Sequence, residues 1–160
     1  MSREILKPNE TELKWIEANL RIARSAIKTF APECGQEITL KAVDAAFAAW
    51  LGQHDPQKED PNPFINAFGI AFGQQFVDQL GFSWAVVRDG DGTEMAVHGA
   101  TGDAAGDVFV YPPSFVAKRY MSKTTGFFES SFEDMKRDIQ HPPTSSAKKS
   151  WWRVWSKDRT

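Results

Sequence analysis

Asp89, Glu94, His98, Lys118 and Arg119 are the side chains of this sequence whose types suit acid–base chemistry. Such chemistry needs an acid and a base within hydrogen-bond reach of one substrate. Side-chain alternation along strands permits the acidic segment to converge with the Lys118–Arg119 turn. Two readings follow: a polar pocket formed by Asp89, Glu94, Lys118 and Arg119, or a structural ion pair among them. The ion pair is favoured, with Arg119 on Asp89 or Glu94. No nucleophile motif, phosphate-binding glycine loop or zinc spacing accompanies these residues, so no catalytic residue is assigned and no cofactor is expected.

The stretch "DGDGT" resembles the middle of a calcium loop. In that alignment Asp89, Asp91, Gly92 and Thr93 are ligand and turn positions, but Val87 and His98 occupy the two ends. The loop then lacks its first acid and its closing bidentate glutamate. A tight hairpin turn explains the Asp-Gly steps better. His54, His98 and His141 are too scattered to read as a metal set, so no metal is expected.

The C-terminal "AKKSWWRVWSKDRT" interleaves Trp151, Trp152 and Trp155 with Lys148, Lys149, Arg153, Lys157 and Arg159. Tryptophan among cations suits a protein hot spot, a membrane-interface anchor or a base-stacking contact. Docking of the tail on its own domain is the favoured reading, and a protein partner bound through Trp151, Trp152, Arg153 and Trp155 is the second. The chain carries a net charge of −2, which predicts no general attraction to nucleic acid or anionic lipid. Its first ten residues hold no apolar run of the signal-peptide kind, and its single cysteine, Cys34, precludes an internal disulfide. A cytoplasmic protein is the expectation.

These residues must be positioned by a fold of helices followed by strands. Leu13, Ile16, Leu20, Ala23, Ile27 and Phe30 step by three and four, predicting a helix over 9–31 with an Asn9–Glu12 capping box and a stop at Pro32. A second helix is predicted from Thr39, its cap, to a C-terminal Gly52, with Leu40, Val43, Phe47, Trp50 and Leu51 inward. "QHDPQKEDPNP" is a polar, proline-rich connection. In the stretch 63–80, Phe64, Phe68, Phe72, Phe76 and Leu80 recur every fourth residue beside a row of Ile65, Gly69, Gly73 and Val77. Gln74, Gln75 and Asp78 rule out a membrane span. The glycines imply a core helix, capped by Asn62 and ended by Gly81, whose small face meets another backbone, most simply the sheet. "FSWAVVRD", "TEMAVHG" and "DVFVYP" read as three strands. A helix capped by Ser114 and another with a Ser131–Asp134 box complete an α+β domain over 1–141, with 142–160 as the tail.

The middle of the chain resembles the bacterial domain of unknown function 3806 family. The match rests on Gly69, Gly73, Leu80, Gly81, Trp84, Asp89, Gly92, Pro112, Ser114, Lys118 and Arg119, within about residues 62–121, with Phe68 in place of the family's aliphatic residue. The resemblance implies a small bacterial protein and supplies no catalytic residue. The favoured function is a non-enzymatic protein-binding module, with neutralisation of a cognate toxin as its specific form by analogy with other small bacterial domains. The alternatives are an enzyme with a site near the 88–98 hairpin and Lys118/Arg119, or an accessory protein that meets membrane or nucleic acid through the tail.

Overall fold

The computed structural model describes residues 2–100 and 107–141. Helix α1, Glu10–Phe30, opens with the expected capping box: Asn9 Oδ1 accepts from Glu12 N at 2.8 Å, and Glu12 Oε2 accepts from Asn9 N at 2.7 Å. Ile16, Ala23 and Ile27 turn inward, whereas Leu13 stays half-exposed at the outer end. Helix α2, Leu40–Gln53, is capped by Thr39 Oγ1 at 3.1 Å from Ala42 N. It runs through Gly52 and stops at His54, whose backbone is extended. The end is therefore set by His54, whose ring packs back on Trp50 one turn earlier, and not by a left-handed glycine.

Helix α3, Asn62–Leu80, ends in the left-handed Gly81 as predicted. Asn62 is not its cap. That residue already lies in the first turn behind Pro61, and its N–H donates to Asp60 Oδ1 at 3.0 Å.

The sheet has four antiparallel strands, one more than the three expected. Strand β1, Glu4–Leu6, pairs with β2, Ser83–Asp89, which pairs with β3, Gly92–Ala100, and then β4, Asp107–Val110. β1 escapes sequence reading because three residues carry no periodicity; the edge of β2 makes it a strand. Register places Trp84, Val97 and Val110 side by side on the face that joins the main core. On the opposite face Val87, Ala96, Phe109 and Tyr111 form a second, smaller cluster.

Helix α4, Pro112–Ser122, begins two residues before the Ser114 expected to cap it. Prolines at the start of a helix lose nothing by lacking an N–H, which explains the early entry. Helix α5, Phe128–Gln140, likewise begins ahead of its predicted Ser131 box. Its first amides are capped from another helix: Phe128 N and Glu129 N donate to Asp44 Oδ1 and Oδ2 of α2 at 2.8 and 3.0 Å.

The glycine row of α3 faces the first turn of α4. A Cβ on Gly69 would stand 2.7 Å from Pro113 Cα, and one on Gly73 would stand 2.4 Å from Trp84 Cη2. The close backbone is thus that of α4, with the sheet contributing only the Trp84 ring. Beside the glycine row on α3 the phenylalanine row fills the core, with Phe68 edge-on to Phe47 at 5.5 Å and Phe72 stacked on Phe115 at 5.1 Å.

Candidate functional site

The corner between the hairpin and α4 holds the polar residues singled out from sequence. Asp89 Oδ1 accepts from Asp91 N at 2.9 Å, which braces the β2–β3 turn. Flanked by strands, this loop is a hairpin turn and not a helix-flanked calcium loop. Glu94 on β3 accepts a hydrogen bond from Ser114 Oγ in the first turn of α4. A carboxylate is favoured there by the unpaired amides and dipole of a helix N-terminus.

Arg119 does not take up the hairpin carboxylate expected of it. Helical side chains point back toward the N-terminus, so its guanidinium lies over the ring one turn earlier. Its Cζ is 3.6 Å from the Phe115 centroid and 5.7 Å from that of Phe127, with Nη1 donating weakly to Phe115 O at 3.4 Å. Burial lowers the Arg119 pKa from its ordinary value, yet a guanidinium remains charged. Lys118 beside it is exposed. The corner thus gathers Glu94 and Ser114 into a brace between sheet and helix, and turns Arg119 toward aromatic rings. His98 lies on the next strand pair, its ring stacked on Phe109 at 4.6 Å and its Nε2 3.1 Å from Asp107 Oδ1.

A polar cleft of about 310 Å³ between α1 and α3 is lined by Arg24, Glu37, Gln74, Gln75 and Asp78 among others. Its amides are engaged internally: Gln74 Nε2 donates to Asp78 Oδ1 at 2.9 Å, and Gln75 Nε2 to Ile38 O at 3.2 Å. It reads as structural.

The outer side of α1 is different. Trp15 and Ile22, seven residues apart, lie on one stripe and keep 38% and 37% of their surface in solvent. Ile22 also lines an apolar groove of about 210 Å³ with Ala26, Phe30 and Phe64. One position before each stripe residue stand Lys14 and Arg21, and Lys28 continues the seven-residue spacing; all three are exposed. Lys14 pairs with Glu10 at 3.1 Å, and Glu12 and Glu17 are the other acids of α1. An apolar strip therefore runs beside a basic rail on an otherwise acidic chain. Sequence reading assigned the inward stripe of α1 and overlooked this second one. The signal was available, because Trp15 and Ile22 exceed what the core stripe requires.

Trp151, Trp152, Arg153 and Trp155 lie outside the described residues. Among the described residues no helix is long and apolar enough to cross a membrane.

The chain matches no curated protein and no solved structure. A family model does match, over residues 48–127, from the last turns of α2 through α3, the hairpin and α4 to the residue that precedes α5. That span is half of the 160 residues and contains every residue on which the resemblance was drawn. The chain belongs to the family described as Domain of unknown function (DUF3806).

Proposed function

We propose that this chain is a non-enzymatic protein-binding module that docks an acidic, amphipathic segment of a partner on the outer side of α1. The observation that carries the reading is the exposed Trp15–Ile22 stripe lying beside Lys14, Arg21 and Lys28. A partner helix laid in such a place sets apolar anchors at helical spacing into the stripe and groove, and its carboxylates on the rail. Tryptophan is enriched among the residues that dominate binding energy, and a charged border adds steering and specificity.

The enzyme alternative draws no comparable support, because Glu94 and Arg119 are each committed to contacts that hold the fold. Neutralisation of a bacterial toxin is one form this binding takes, the toxin then supplying the acidic surface.

The test compares proteins retained from the native cell by the wild-type chain, by Trp15→Ala/Ile22→Ser, and by Lys14→Glu/Arg21→Glu/Lys28→Glu. Melting temperatures establish that the variants are folded. The reading expects one acidic protein to be retained by the wild type and lost from both variants. A partner held equally by all three contradicts it.

A further inference from the structure

Both faces of the sheet are apolar, and the helices account for only one of them. Trp84, Val97 and Val110 look into the core that α1 to α5 fill. Alternation turns Ala85 and Val87 of β2, Ala96 of β3 and Phe109 of β4 to the other side, where Ile5 of β1 joins them by pairing with Val87. A sheet with one solvated face alternates apolar with polar residues, whereas apolar residues on both faces mark the middle layer of a stack. The outer cluster of Val87, Ala96, Phe109 and Tyr111 keeps 3% of its surface or less in solvent, yet among the described residues no member of it comes from a helix. His98 stacks on Phe109 at 4.6 Å, and the Arg3 guanidinium lies 5.0 Å from the same ring. Two such polar side chains border one ring, and a layer over four residues needs more apolar surface than they carry.

The chain that follows α5 is the segment suited to supply that layer. Phe128 at the start of α5 meets Phe72 of α3 at 5.6 Å, and Phe132 one turn later meets Phe76 at 4.9 Å. Phe76 in turn lies 5.7 Å from Phe82, the residue before β2. α5 therefore runs alongside α3 toward the Ser83 end of the sheet, with residues 142–160 still to follow. Those 19 residues reach roughly 60 Å when extended, against about 23 Å for the seven residues of β2. They hold Trp151, Trp152 and Trp155 together with Lys148, Lys149, Arg153, Lys157 and Arg159, against the one acid Asp158. The outer face carries Asp89 at the hairpin, Glu94 on β3 and Asp107 on β4 around its apolar centre.

We propose that the outer face of the sheet is the docking site of the chain's own C-terminal segment. The indoles of Trp151, Trp152 and Trp155 cover Val87, Ala96, Phe109 and Tyr111, and the interleaved cations lie toward Asp89, Glu94 and Asp107. Indole suits the task because each ring buries a large apolar area while its N–H still finds an acceptor at the polar border. Opposite charge at that border fixes the register of the segment more than it adds affinity. The tail is then the third layer of the fold, and the Trp15–Ile22 stripe of α1 stays open to a separate partner.

The test uses the full chain carrying Cys34→Ala and Ser156→Cys, so that a nitroxide sits at one cysteine beside Trp155. Amide NMR signals then report which surface the label approaches. Val87, Ala96 and Phe109 are expected to lose their signals to broadening, while Ile22 and Phe64 at the α1 groove keep theirs. Adding Trp151→Ser/Trp152→Ser/Trp155→Ser to the labelled chain should restore the sheet signals, with unshifted α1 and α3 amides showing that the domain is still folded. Broadening centred on Ile22 and Phe64, weak broadening spread evenly over the surface, or sheet broadening that survives the triple substitution overturns the proposal. So does equal broadening of the sheet in an unlabelled chain mixed with a labelled one, because the tail on that face then belongs to a second copy.

Discussion

Gly69 and Gly73 answer at residue scale what two glycines do in an aromatic helix. They let the first turn of α4 come within reach of the α3 backbone, a contact that any side chain obstructs. The four-residue phenylalanine row announced the core, and the glycine row announced a close neighbour. The neighbour's identity was hidden because Pro112 and Pro113 are brought there by three intervening strands. Gly69→Ala should cost about 1–3 kcal/mol in chemical denaturation, because the new Cβ meets fixed backbone at Pro113. Gly73→Ala meets the Trp84 ring, which is itself held by its Nε1 donating to Gln74 Oε1 at 3.0 Å, and should be destabilising as well. Stability equal to wild type in both variants would place α4 elsewhere. Arg119 was read as an ion-pair partner because sequence records charge and not direction along a helix. A double-mutant cycle should give coupling of roughly 0.5–1 kcal/mol between Arg119→Ala and Phe115→Leu, and none between Arg119→Ala and Glu94→Gln.

At the scale of elements, local signals and distant ones part company. The Asn9–Glu12 box and the Thr39 cap stand three residues from the amides they serve, and both were visible in sequence. The cap of α5 is Asp44, whose carboxylate takes two amides 84 and 85 residues further along. No local pattern encodes that, so Ser131 was chosen in its place. Asp44→Ala should lower stability by about 1–2 kcal/mol, as loss of a charged cap does. Ser131→Ala should change little. Amide exchange resolves the cause: Phe128 and Glu129 should lose protection in Asp44→Ala while the α1 amides keep theirs. Equal loss across both helices would show a general effect and not a cap. β1 belongs to the same lesson, since its three residues are a strand only because β2 offers an edge.

For the whole molecule, the family-matched segment builds α3, the hairpin and α4, and α1 packs against α3 and α2 from outside it. The α+β class was readable because helix and strand periodicities differ. A docking face was not, because Trp15 and Ile22 look like core residues until the packing of α1 shows which stripe is already satisfied. The central claim is that this stripe and its basic rail receive a protein. The most direct measurement is photo-crosslinking in the native cell, with a photoreactive phenylalanine analogue placed singly at Trp15, at Ile22 and, as a control, at the exposed hairpin residue Thr93. The account predicts one adduct with the same acidic protein from positions 15 and 22 and none from 93. An adduct formed equally from Thr93, or none from the α1 positions while Trp151 and Trp155 yield one, would contradict it.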